Sequence, residues 1–407
     1  MTRNATIATI GAAVAAVLVI ALAAVMLGNP TAAPSPSLAQ ASERPTNTVA
    51  TASDPAGAAS SAPTPTSLPT ATPLPTPSPS PTPIPTPPTV PAPLTGRPVS
   101  PENAARHPIA VMIDDLAAAR PQSGLASASV VWQAPAEGGI PRYMAVFQDN
   151  MPEEVGPVRS SRYYYIAWAA EWRAVYIHAG GSPGALATLR AKGNGQLVYN
   201  GDEFRHSGTF YRLKTRSAPH NLYTTGPRMR ALGKRLGAQD QTYQTVWQFA
   251  PDAPLESRPS GGTITVKYPY NLIKYSYQRA TNTYLRSVTR EGKQIDAADK
   301  IRIAPKNVVV MRMSFGPLND GHPGAPRLEA KVIGSGTAWI STNGRTIKGT
   351  WKKTALTKPT KFYDKKGKEV TLTIGQTFVQ VVPNSYPVVF KAGSDQPAAT
   401  AAPSPSS

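Results

Sequence analysis

The sequence predicts an α+β protein, with an N-terminal transmembrane helix and a Pro-rich linker leading into an α/β domain followed by a β-rich domain. Three observations carry that prediction. An uncharged apolar stretch occupies 5–28, and a Pro/Thr/Ser/Ala tract occupies 29–94. Beyond it, strand-like and helix-like segments alternate to about residue 240, and past 259 only strand-like segments and turn signals continue.

The stretch 5–28 holds no charge and only two hydroxyls, Thr6 and Thr9. About 20 apolar residues at ~1.5 Å rise cross a hydrocarbon core of ~30 Å. A helix satisfies its own backbone there. A cleaved signal peptide normally has an apolar core of only about 7–15 residues. The one small-residue site after the run, Thr31-Ala32-Ala33, is weak, so an uncleaved anchor is expected. Arg3 precedes the span and no Lys or Arg comes after it before Arg44, which predicts a cytoplasmic 1–4 and an extracytoplasmic folded part. In 29–94 proline fixes φ and removes donors, so polyproline II or disorder is expected. At ~3.1 Å per residue the linker spans about 150–200 Å when extended. The tail 393–407 has the same character.

The formal net charge is +19. Before Leu94, Arg3 and Arg44 balance Glu43 and Asp54, so the whole excess lies in the folded part beyond the linker. A basic module outside a membrane suits an anionic wall polymer or lipid headgroup, and its placement excludes nucleic acid. There is no cysteine. That excludes a disulfide framework, a thiol nucleophile, a cysteine-ligated metal and an acylated-cysteine anchor. No cofactor is expected.

In the α/β domain, 95–258, residues 109–114 read as a buried strand ending in a carboxylate. Strands at 130–133 and 143–148 flank a turn at Glu137-Gly138-Gly139. A helix is predicted over 160–173, capped by Ser160, with Tyr164, Ile166, Ala167, Ala170 and Ala174 on its apolar face. A strand at 175–178 runs into Gly180-Gly181-Ser182-Pro183, where a second helix starts and continues to Arg190; a third spans 227–236. The β-rich domain, 259–392, is predicted to pack beside the first. Its strands fall at 263–268, 273–277, 283–288, 308–313, 328–333, 338–341, 346–351 and 378–382. Asn343-Gly344 marks a hairpin. The lysines Lys348, Lys352, Lys353, Lys358, Lys361, Lys365, Lys366 and Lys368 are expected to guard strand edges.

Polar residues concentrate where these strands end, which in an open α/β sheet is where ligands bind. Arg120, Arg142, Arg159 and Arg162 could converge with a helix start at Ser160 on a phosphate or carboxylate, completed by Gln122, Gly180, Gly181, Ser182, His220 and Asn221. The bland alternative is an internal lattice in which Asp114, Glu137 and Arg142 pair with one another. For acid/base work the candidates are Asp114, Glu137 and His178, with Asp114 or Glu137 beside His178 or His220. A Ser182–His178–Asp114 triad lacks a nucleophile elbow. His178, His220 and Asp114 lack metal-ligand spacing, so no metal site is predicted.

Several of these segments resemble, in order, the YerB-like family of bacterial envelope lipoproteins, defined by a domain of unknown function. The resemblance rests on Ala110-Val111-Met112-Ile113-Asp114, Ala119-Arg120-Pro121-Gln122-Ser123-Gly124-Leu125, Glu137-Gly138-Gly139-Ile140 and Arg142. Met144-Ala145-Val146-Phe147, Gly156-Pro157-Val158-Arg159-Ser160, Arg162, His178-Ala179-Gly180-Gly181-Ser182 and His220-Asn221-Leu222-Tyr223 continue it. Gly349-Thr350-Trp351-Lys352-Lys353 and Gly375-Gln376-Thr377 extend it across both halves, from about Leu94 to Pro383. It implies an envelope-attached, two-part protein with no assigned activity. Two departures stand out: no cysteine is present for a lipid, and Asp115 stands where the family pattern has Asn. The sequence leaves enzyme status open. The expected function is binding of an anionic envelope component; a hydrolase or transferase acting on a phosphodiester or glycan, and a scaffold recruiting another envelope protein, are the alternatives.

Overall fold

The computed structural model describes residues 87–289, 291–318, 320 and 327–395, all within one compact unit, 82–407. The predicted membrane helix at 5–28, nearly all of the linker and most of the tail lie outside the described residues. Among the described residues no helix is long and apolar enough to cross a membrane.

The first half contributes β1 (Ile109–Asp114), β2 (Val130–Pro135), β3 (Pro141–Phe147), β4 (Val175–His178) and β5 (Tyr199–Asp202). Its helices are α1 (Pro101–Ala105), α2 (Tyr163–Ala169), α3 (Pro183–Lys192) and α4 (Gly226–Arg235). The second half supplies β6 (Thr263–Lys267), β7 (Leu272–Gln278), β8 (Thr283–Val288), β9 (Asn307–Met313), β10 (Gly334–Thr342), β11 (Arg345–Lys353), β12 (Lys361–Tyr363), β13 (Thr377–Pro383) and β14 (Val388–Lys391). The protein is mostly β-sheet with few helices.

The two halves do not merely pack beside each other. One ten-stranded sheet, in the order β12-β11-β10-β9-β13-β2-β3-β1-β4-β5, runs through both. Its seam is the parallel pairing of β13 with β2, with Thr377 opposite Val130 and Val379 opposite Trp132. Both strands are buried on both faces, so neither carries the charges that would keep it an edge. Side chains alternate across this sheet. Ala110, Met112, Val309 and Met311 face a layer holding α2 and α3, where Trp132 stacks on Trp168 with centroids 4.8 Å apart. Ile109, Val111, Val308 and Val310 face α4 and a second sheet. That second sheet is antiparallel, in the order β8-β7-β6-β14, with Gly292–Lys293 at its β8 edge.

Strands β1, β4 and β8 have the predicted bounds. Asn343 and Gly344 both take positive φ, 49° and 75°, and turn β10 into β11 as a primed hairpin requires. Three predictions change. The helix predicted over 160–173 begins only at Tyr163, with Arg162 extended at its N-cap, so Ser160 caps nothing. Ser161 is instead held extended: its N–H donates to Gly180 O at 2.9 Å, and its carbonyl accepts from Ser182 N at 3.2 Å. The strand predicted at 328–333 is Arg327–Ala330. Lys353 guards no edge. It is buried, donating from Nζ to Glu171 at 2.9 Å and to the carbonyls of Leu356 and Lys358. Strands β5, β12 and β14 were not predicted.

Candidate functional site

Asp114 ends β1 and Asp115 comes next. Successive positions point to opposite faces, and the two carboxylates part accordingly. Asp115 enters the layer between the sheets, fully buried. It accepts from Arg120 Nε at 3.0 Å, from Asn271 Nδ2 at 3.1 Å and from Gln133 Nε2. Burial pushes its carboxyl up, and nearby Arg120 and Arg286 offset only part of that. Arg286, also fully buried, donates to Tyr275 Oη at 3.0 Å and to Gln133 Oε1 at 2.7 Å. Gln122 belongs to this layer too, donating to Asp114 O at 3.0 Å and accepting from Gln294 at 3.1 Å.

Asp114 turns the other way and meets Arg159, which lines a cleft at the carboxyl ends of β4 and β5. The segment carrying Arg159 is laid against β1 by Arg159 N donating to Met112 O at 2.9 Å and Asp114 N donating to Pro157 O at 3.0 Å. On its other side Val158 N donates to Leu222 O at 2.7 Å. Gly156 makes this approach feasible, since a Cβ there would lie 2.6 Å from the Tyr223 ring. Asp114 Oδ2 therefore accepts from two sides, from Arg159 Nε at 2.8 Å and from His220 Nδ1 at 2.8 Å, while Oδ1 accepts from Leu116 N at 3.1 Å. An acceptor opposite Nδ1 places the histidine proton there. His220 Nε2 and both Nη groups of Arg159 have no partner among the described residues.

The cleft has a volume of about 550 Å³ and is lined by Arg159, Ser160, Gly180, Gly181, Phe204 and Arg212 among others. Its other carboxylates are engaged: Glu203 pairs with Arg212 at 3.4 Å, and Asp202 accepts from Gly180 N at 2.9 Å. Asn221 accepts from Arg212 at 3.1 Å. The uncommitted capacity is chiefly that of donors. Ser182, buried at the N-cap of α3, makes no side-chain capping bond, so the first turn of α3 keeps open N–H groups at the cleft rim. Among the larger grooves, two of about 630 and 730 Å³ border Trp339 in the second half without a histidine or carboxylate, and one of about 660 Å³ is lined by Arg190, Arg205, His206 and Arg235 without a carboxylate.

The remaining candidates lie apart from this cleft. Arg142 and Arg162 meet Glu137 rather than Arg159, with Arg142 at 3.5 Å and Arg162 closer; Arg327, at 3.9 Å from Glu137, also pairs with Asp320 at 2.6 Å. Burial pushes the Glu137 carboxyl up, but the Arg162 and Arg142 guanidiniums outweigh it and hold it below the ordinary value. Burial, with Arg162 beside it, lowers Arg142 to about 10. Arg120 is committed to Asp115 and Glu291. The four arginines are thus divided among carboxylates and do not surround one vacant position. His178 is fully buried, with Nδ1 2.8 Å from Gly180 O and Nε2 2.7 Å from Asn200. Burial lowers its pKa, Asp202 notwithstanding. The atom facing Nε2 is Asn200 Oδ1, so a neutral ring that donates from Nδ1 to Gly180 O requires the Asn200 amide to turn and present its NH₂. Among the described residues no group of three His, Cys, Asp or Glu side chains could hold a metal ion.

Sequence reasoning missed Asp202, Glu203, Phe204 and Arg212, because β5 reads Tyr-Asn-Gly-Asp and lacks the β-branched pattern that signals a strand.

Residues 94–241 match the family model described as "Protein of unknown function (DUF3048) N-terminal domain", and residues 264–379 match its C-terminal domain. The chain belongs to the DUF3048 family. It is 29% identical over 305 residues to "Putative lipoprotein YerB" of Bacillus subtilis (strain 168), covering 72% of this chain and 86% of that protein. The crystal structure of YerB from Bacillus subtilis superposes with a TM-score of 0.65 at 26% identity, covering 73% of this chain and 99% of the other. The YerB-like resemblance read from the strand-end motifs is therefore a family membership that spans both DUF3048 domains. The cleft and the lattice around Glu137 both lie on segments within the matched regions.

Proposed function

We propose that this protein is a membrane-associated, extracytoplasmic envelope protein whose cleft beyond β4 and β5 binds a phosphate- or carboxylate-bearing envelope component. The apolar stretch 5–28, the Pro-rich tract behind it and the lipoprotein description of the Bacillus relative support the placement. One observation carries the binding: Arg159 has its Nε tied to Asp114 while both Nη groups are without a partner among the described residues, at a cleft whose carboxylates are already engaged. The net charge of +19 supplies long-range attraction for such a partner. A shared guanidinium fork suits a wall polymer and a lipid headgroup alike.

The test is retention of the full-length chain, in detergent micelles, on phosphate-rich wall polymer and on anionic vesicles. Salt-sensitive retention on one of them that Arg159→Ala reduces at least tenfold is the expected result. Retention unchanged by Arg159→Ala would sink the reading.

A further inference from the structure

We infer that the cleft hydrolyses a phosphodiester, with His220 as general base and Asp114 as the residue that orients it. This rests on the anion-binding reading above and goes further, because it assigns a reaction to the same place. Asp114 Oδ2 accepts from Arg159 Nε and His220 Nδ1 at 2.8 Å each, so the guanidinium fork and the imidazole are tied to a single oxygen. His220 follows Pro219, which lines the cleft together with Arg159, so the imidazole stands at the edge of the place where the Arg159 fork would hold an anion. The charged group bound and the centre attacked are then the same group, which is the arrangement a phosphodiester presents. Hydrogen bonding from Nδ1–H to a carboxylate fixes the tautomer with its lone pair on Nε2, and Nε2 has no partner among the described residues. The His220 side chain retains 14% exposure, so water reaches it, whereas His178 has none.

The step balances without any further reagent. Nε2 takes a proton from water as the water oxygen bonds to phosphorus. The ester P–O bond to the leaving alcohol breaks on the opposite side, where solvent water protonates that oxygen, and Nε2–H gives its proton back to solvent. A phosphomonoester and an alcohol leave, and His220 returns to its neutral form. Arg159 Nη donors neutralise charge on the phosphoryl oxygens as the fifth bond forms. Ser160, Gly180 and Gly181 line the cleft beside Arg159 with a small side chain or none, which leaves room for a phosphoryl group.

The experiment gives the full-length chain in detergent micelles three phosphodiesters: bis(p-nitrophenyl) phosphate, poly(glycerol phosphate) and phosphatidylglycerol vesicles. Phosphomonoester and alcohol release is measured together with retention on the polymer and the vesicles. Turnover is expected with at least one of them, and the arm that turns over tells wall polymer from lipid. His220→Gln should lower kcat by about 10²–10⁴-fold with retention unchanged, and Asp114→Asn should lower kcat by more than it raises KM. Arg159→Ala should raise KM and reduce retention together. Retention without turnover of any of the three overturns the hydrolysis and leaves the binding reading standing. Turnover that survives His220→Gln, in a variant that melts like the parent, overturns the assignment of the base. Loss of retention in the parent itself defeats the binding reading, and this inference with it.

Discussion

Asp114 and Asp115 are chain neighbours in two environments, and the contrast separates a site from a lattice. Around Asp115, most of the strong groups are used on another group of the protein: Arg120, Gln133 and Asn271 hold the carboxylate, and Arg286 donates to Gln133 and Tyr275, with its Nη1 buried and without a hydrogen-bond partner among the described residues. Around Asp114, the same residue types leave capacity over, in the Nη groups of Arg159 and the Nε2 of His220. Arginine density is equal testimony for both. What tells them apart is that the unspent groups of Arg159 and His220 belong to partly exposed side chains, whereas the unspent Nη1 of Arg286 is sealed in the interior.

The sharpest way to break that contrast is to remove one arginine from each side. Arg286→Met strips a buried cation from between two sheets and leaves Asp115 undercompensated. Unfolding free energy in urea should fall by about 3–5 kcal/mol. Arg159→Ala removes a group whose side chain is 27% exposed, and should cost under about 1 kcal/mol while abolishing polymer retention. Equal stability losses would erase the distinction between lattice and cleft.

Which arginine belonged where was not legible in the sequence, and the reason is physical. The strands announced themselves locally, because β1, β4 and β8 are apolar or alternating runs bounded by turn residues. Partner choice is not local. Arg162 meets Glu137 across two elements, and Arg327, which joins them, comes from the second half of the chain. Ser160 looked like a helix cap because Ser before an apolar run usually is one. Pairing of Ser161 with Gly180 and Ser182 overrode that signal. The continuous sheet was hidden for the same reason, since nothing local in Val130–Pro135 or Thr377–Pro383 says that they pair.

A smaller effect sharpens the cleft side. Gly180 takes φ 62°, and a Cβ there would come 3.2 Å from the exposed Phe204 ring. Gly180→Ala should cost about 1–2 kcal/mol from the left-handed backbone and weaken retention by narrowing the cleft. Retention equal to the parent would show that ligand does not pass between Gly180 and Phe204.

The pH dependence of stability probes the buried histidines. Burial lowers the pKa of both His178 and His107 in the folded protein. The unfolded chain, near 6.5, then binds more protons than the folded one at mildly acid pH. Their contribution to stability is complete above about 6.5 and is lost as pH falls below it. Urea midpoints should therefore decline from pH 7.5 to 5, and His178→Gln should remove part of that slope. A slope untouched by this substitution would mean that His178 is already protonated in the fold, with Asp202, 3.7 Å away, as its counterion.

The smallest expected effect bears on how the cleft wall is made. A serine that capped α2 would lose about 1 kcal/mol on conversion to alanine. Ser160 here offers its carbonyl to Arg142 Nη1 at 2.8 Å and precedes a helix whose N-cap is Arg162, so its hydroxyl supports no helix end. Ser160→Ala should therefore change the unfolding free energy in urea by less than about 0.5 kcal/mol, yet change ligand retention if the hydroxyl faces bound anion. A full capping cost would mean that residues 160–162 enter the helix in solution. The Ser161–Gly180 pairing that sets Arg159 beside Asp114 would then be transient, and the cleft would lack its fixed wall.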